Sequence, residues 1–153
     1  MIIIYHCYGS AHSSVLAAAI HTKMLPENRI PANHEIKNLP HYDKTDSKLI
    51  GTPFYFGSDE NNNKIFILGM GTAKKIVKNV IYDLMKVENI PEKEVLLINT
   101  LKNINLYVRI GGFLSRKLGL IYPGRFLTIY GLKQSYNKFV DTVREVKNKI
   151  GIA

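Results

Sequence analysis

A cysteine, a histidine and three serines fall within eight residues near the start of the chain: Cys7-Tyr8-Gly9-Ser10-Ala11-His12-Ser13-Ser14. The residues before them, Ile2 to His6, are largely β-branched or aromatic and read as a strand. Those after them, to about Met24, read as a helix, with Ser13 or Ser14 placed to cap it through a hydroxyl. A strand, a glycine loop and a helix start leave free backbone amides and the positive end of a helix dipole together, which suits an anion. A cysteine ahead of such a helix is a candidate nucleophile, because the dipole favours the thiolate form. His12 is a candidate proton donor, or a cation beside a bound phosphate. Gly9 allows close backbone approach, and Ser10, Ser13 and Ser14 offer hydroxyls to phosphate oxygens. The same residues also suit a plain connection, with Cys7 as a small hydrophobe and the rest as caps.

Known phosphate loops narrow the choice. The loop holds no lysine, so it is not a Walker loop. Cysteine-dependent phosphatases place arginine six residues after the cysteine, and here that position is Ser13. The loop is more similar to that of the cysteine-phosphorylated sugar-transport phosphocarrier domains. Those place cysteine at the end of a first strand, then a turn rich in Gly, Ser and Thr, then serine at the helix start. Cys7, Ser13 and Ser14 match that arrangement, whereas Tyr8 and His12 are bulky for it.

Two more turns of this kind are expected, at Gly69 to Lys75 and at Gly131 to Ser135, with Lys74, Lys75 and Lys133 in or beside them. The first approaches the dinucleotide fingerprint, but Lys74 replaces its third glycine and a hairpin strand precedes it, so no dinucleotide is expected. Asn99 and Thr100 follow a strand at Val95 to Ile98 and are expected on the same rim as Cys7. Arg109 and Arg116 lie on the next helix and suit a phosphate or carboxylate, with Lys117 beside them. His6, Cys7, His12, His21 and His41 show no zinc spacing, so no metal site is assigned and the cofactor is left open.

These residues need a frame. The chain has 153 residues, 46% hydrophobic and 22% charged, enough for one domain with its own core. A lone cysteine excludes an internal disulfide framework. The start is not secretory, no apolar run spans a membrane, and cytoplasmic residence is expected. A short helix fits between Pro31 and Leu39, and a hairpin pairs Phe54 to Gly57 with Lys64 to Leu68. A helix capped by Thr72 carries Ile76, Val77, Val80, Ile81, Leu84 and Met85 at helical spacing. Beyond the strand at 95–98 come a helix over about 103–118 with Gly111-Gly112 inside it, a turn at Pro123-Gly124, a strand at Phe126 to Tyr130, and a last helix from Gln134 to Ile150. This order predicts a single three-layer α/β domain over 1–153: a mostly parallel sheet, helices on both faces and one β-hairpin.

The net charge of +9 is uneven. Residues 1–100 hold eleven Lys or Arg against ten Asp or Glu, and residues 101–153 hold ten against two. The basic third suits a phosphate-bearing small molecule, or alternatively nucleic acid or an acidic protein, with Tyr107, Tyr122, Tyr130 and Tyr136 available to stack. No Lys/Arg run exceeds two residues, which argues against a nucleic-acid-binding tail. The apolar, basic segment 103–122 also leaves room for a homo-oligomer contact or a membrane-surface role.

Residues Ile3 to Val15, Ala17 to His21, Asp43-Lys44, Gly57 to Glu60, and Ile110 to Leu120 together resemble a small family, domain of unknown function 3189, found mainly in spore-forming Gram-positive bacteria. The resemblance runs almost the full length. It implies no activity and supplies no catalytic residues.

Overall fold

The computed structural model describes residues 1–151. Four strands form one mixed sheet: β1 (Ile2–Cys7), β2 (Pro53–Ser58), β3 (Lys64–Gly69) and β4 (Val95–Asn99), in the order β2-β3-β1-β4. β1 pairs in parallel with both β3 and β4, and β2 closes one edge antiparallel to β3. The hydrophobic run of β1 follows from its place, since a central parallel strand is covered on both faces. Pro53, which cannot donate to the ladder, opens the edge strand β2.

The covers are helical. On one face lie α1 (Ser13–His21) and α6 (Tyr136–Lys149), packed on Ile3, Tyr5, Ile65 and Ile67. Ala17, Ala18 and Ala19 keep α1 thin, and all three are fully buried. Val140, Val143 and Val146 are the inward stripe of α6, with Ile150 packed beside them. α3 (Lys74–Val87) alone covers the other face, over Ile4, Leu68 and Met70. The chain is thus a single α/β domain with helices on both faces of the sheet. A short α2 (Asn33–Lys37) and an antiparallel pair, α4 (Leu106–Lys117) and α5 (Ile121–Gln134), complete it.

The structure departs from four expectations. Phe126 to Tyr130 are not a strand but the middle of α5. Thr128, Ile129 and Leu132 are buried at helical spacing, a period that a five-residue apolar run is too short to display. Pro123-Gly124 do not turn the chain: Pro123 sits in the first turn of α5, where a missing amide costs nothing. With that strand gone there is no strand–glycine–helix turn at Gly131 to Ser135. Gly131 faces α4, where a β-carbon would lie 2.6 Å from Asn105 Oδ1. Finally, the expected caps are not used as caps. Residue 12 precedes α1 without a side-chain cap, and Ala73 rather than Thr72 precedes α3.

Glycines bring α4 and α5 unusually close. A β-carbon on Gly111 would lie 2.6 Å from the Gly124 carbonyl oxygen, and one on Gly124 would lie 2.5 Å from Ser115 N. Gly111, a poor helix former, therefore serves close helix contact, as a glycine pair inside a helix leads one to expect. Asn105 starts α4 by accepting from Val108 N at 3.2 Å, and its amide donates to the Gly131 carbonyl.

Candidate functional site

The loop after β1 lies at the carboxyl end of the central strand, the usual ligand crevice of an open α/β sheet. Its shape is set by the turn after β3. Met70 N and Gly71 N donate to the carbonyls of Cys7 and Tyr8. Gly69 lets the two turns approach closely, since a β-carbon there would lie 3.0 Å from Gly9 backbone atoms. Ser10 adopts φ +51° and is buried, and Thr45 Oγ1 donates to its carbonyl. Among the described residues, no backbone amide from Gly9 to Ser14 donates to a backbone acceptor. The loop thus keeps its amides unspent beside the start of α1.

A cavity of about 500 Å³ opens between this loop and α4. Cys7, Gly9, His12 and Ser13 line it from the loop, and Arg109 and Arg116 line it from α4, with Lys117 beside them. The fold therefore brings the loop to the arginines, though about a hundred residues separate them in the chain. Ser47 and Ile50 form a further wall.

Other predicted residues have structural jobs. Ser14 is fully buried, with Oγ 3.1 Å from Cys7 Sγ. Ser10 does not reach the cavity wall, and its Oγ has no protein partner. Thr100 is fully buried; its hydroxyl donates to the His6 carbonyl and lies 2.9 Å from Ser13 Oγ. Asn99 Oδ1 accepts from Leu101 N, which turns the chain after β4. Lys74 begins α3 on the opposite side of the sheet, where with Lys78 its charge reaches His6 rather than the cavity.

Sequence reasoning missed Asp43 as part of the site. Its Oδ1 lies 3.2 Å from His12 Nε2, and its Oδ2 accepts from Arg125 Nε at 3.0 Å. Arg116 Nη1 also reaches its carbonyl oxygen. Burial alone would raise the Asp43 pKa, but hydrogen bonds from His12, Arg125 and Ser115 hold it below the ordinary value. Asp43 is thus an anion that fixes the His12 ring, whose other face meets Tyr42 edge-on at 5.5 Å. No local motif marks Asp43, because its partners come from three other segments. Arg125 fell in the region read as turn and strand.

Two other histidines, His6 and His21, are structural. His6 points to the α3 face, away from Cys7, and is fully buried. Burial, then the charges of Lys74 and Lys78, push its pKa down to about 4. His21 is buried between the Tyr5 hydroxyl at 2.7 Å and Asp59 Oδ2 at 3.3 Å. Among the described residues, no group of three His, Cys, Asp or Glu is arranged to hold a metal ion.

Residues 2–148 match the family model described as protein of unknown function (DUF3189). The chain belongs to this family. The match takes in the loop, Asp43 and α4, so every element of the site lies within the family domain. No curated protein and no solved structure matches the chain. No helix among the described residues is long and apolar enough to cross a membrane.

Proposed function

We propose that this member of the DUF3189 family binds a phosphate-bearing small molecule in the cavity between the loop of residues 8–14 and α4, with Cys7 and His12 as the groups available to act on it. The observation that carries this reading is convergence. Arg109 and Arg116 line one cavity together with Cys7, His12 and the loop residues Gly9 and Ser13, whose backbone amides have no backbone partner. Amides and a helix start supply oriented donors, and arginine supplies a bidentate grip. The arginines supply from α4 the positive charge that the loop itself lacks. Ser14 can donate to Cys7 Sγ, and Asp43 fixes His12 for proton transfer. A reducing, cytoplasmic setting suits a working thiol.

The test is a thermal-shift screen with phosphate, sulfate, nucleotides and sugar phosphates on the wild type and Cys7→Ser. A bound ligand raises the melting temperature by mass action. A shift from one phosphate class, changed by Cys7→Ser, supports the reading; no shift from any compound overturns it.

A second reading is an interaction surface for nucleic acid or an acidic protein. Residues 95–140 contain no Asp or Glu, and α4 and α5 expose Tyr107, Phe113, Tyr122, Phe126 and Tyr130. It ranks second because Arg125, Arg144 and Lys147 are already in ion pairs within the fold. Anisotropy with random oligonucleotides at two salt concentrations tests it: binding that weakens steeply with salt supports it, and none at low salt removes it.

A further inference from the structure

We infer that the phosphate taken by this cavity is carried on an apolar body, such as an aryl or hydrocarbon group, and not on a sugar; this rests on the phosphate reading above. The cavity, about 500 Å³, is in the size range of sites for whole organic molecules and far exceeds a bare phosphate. Its lining combines two chemistries. The loop amides and Arg109 and Arg116 provide the anion end, while Ile50, Leu101, Ile104, Val108 and Phe113 line the rest.

What the lining lacks is equally informative. No Asp, Glu, Asn or Gln lines the cavity, so no side-chain carboxylate or carboxamide is present to pair with sugar hydroxyls or the edge of a base. Its side-chain hydroxyls are those of Tyr8, Ser13 and Ser47, and Ser13 Oγ already lies against Thr100. A sugar placed here would leave hydroxyls dehydrated and unpaired, which is costly. An apolar group would instead remove the aliphatic wall and Phe113 from water. Asp43, the nearest carboxylate to the loop, is occupied by His12 and Arg125.

Isothermal titration of the full chain with inorganic phosphate, phenyl phosphate and glucose 6-phosphate tests this. Phenyl phosphate is expected to bind about tenfold or more tighter than either other probe, the effect of burying one ring. Phe113 is half-exposed, so Phe113→Ala should fold; it is expected to reduce that preference several-fold. Ile50→Ala, on another element of the lining, is expected to act in the same direction. Equal binding of all three probes, tighter binding of glucose 6-phosphate, or a preference untouched by both substitutions would overturn the inference while leaving the phosphate reading in place. No binding of any probe would overturn both.

Discussion

His12 and Asp43 are 31 residues apart in the chain and 3.2 Å apart in space, and their pairing organises the site. The Asp43 side chain is almost fully enclosed, so its charge needs both His12 and Arg125. Asp43→Ala is expected to destabilise the fold by about 1–3 kcal/mol, the usual effect of stranding buried hydrogen-bond partners, as read by urea denaturation. An unchanged midpoint would mean that the pair contributes nothing. His6 allows a sharper prediction. It is held neutral in the folded state, with a pKa near 4 against 6.5 when exposed. In that interval the unfolded chain takes up a proton that the folded chain refuses, so stability falls as pH drops. Unfolding free energy is expected to fall by about 2 kcal/mol between pH 7 and pH 5 from this group alone. His6→Phe should lose that part of the dependence; an identical pH profile in the variant would contradict the account. The grouping of Cys7, His12 and Ser13 at one loop is legible in the sequence because they are local. Asp43 could not, since nothing near it in the sequence points to His12.

At the scale of elements, the site depends on how closely α4 meets α5. Gly111 and Gly124 leave no room for a β-carbon on either helix. Gly124→Ala should push α4 away and destabilise the fold by about 1–3 kcal/mol, as overpacking commonly does. Because Arg109 and Arg116 ride on α4, the same substitution should weaken phosphate binding, whereas alanine at the unobstructed Gly9 should leave the fold stable. Phosphate affinity unaffected by Gly124→Ala would show that the position of α4 is irrelevant to the site. The strands at 2–7, 64–69 and 95–99 were legible because buried parallel strands carry unbroken apolar runs. The error at Phe126 to Tyr130 has the same origin: a short apolar run does not distinguish a buried strand from one side of a helix. Gly124 and Gly131 carried the missing signal, seven residues apart on the same side of α5.

For the whole molecule, charge and position separate. The sequence shows a basic final third but not where its cations point. The fold directs Arg144 and Lys147 toward Glu27, Arg125 toward Asp43, and Arg109 and Arg116 to the cavity. The site is therefore a local concentration of charge on a broadly basic surface. Raising the salt from about 0.05 to 0.5 M should weaken phosphate binding only moderately, because charges at a partly enclosed site are less screened than exposed ones. A collapse of binding with salt would instead favour the exposed basic surface. The most direct measurement is an amide nitrogen–proton NMR titration of the full chain with inorganic phosphate. The account predicts saturable shifts largest at the amides of Gly9 to Ser14, with smaller ones at α4 near Arg109 and Arg116. Loop amides that stay still while shifts gather on α6, or a spectrum that does not change at all, would contradict it.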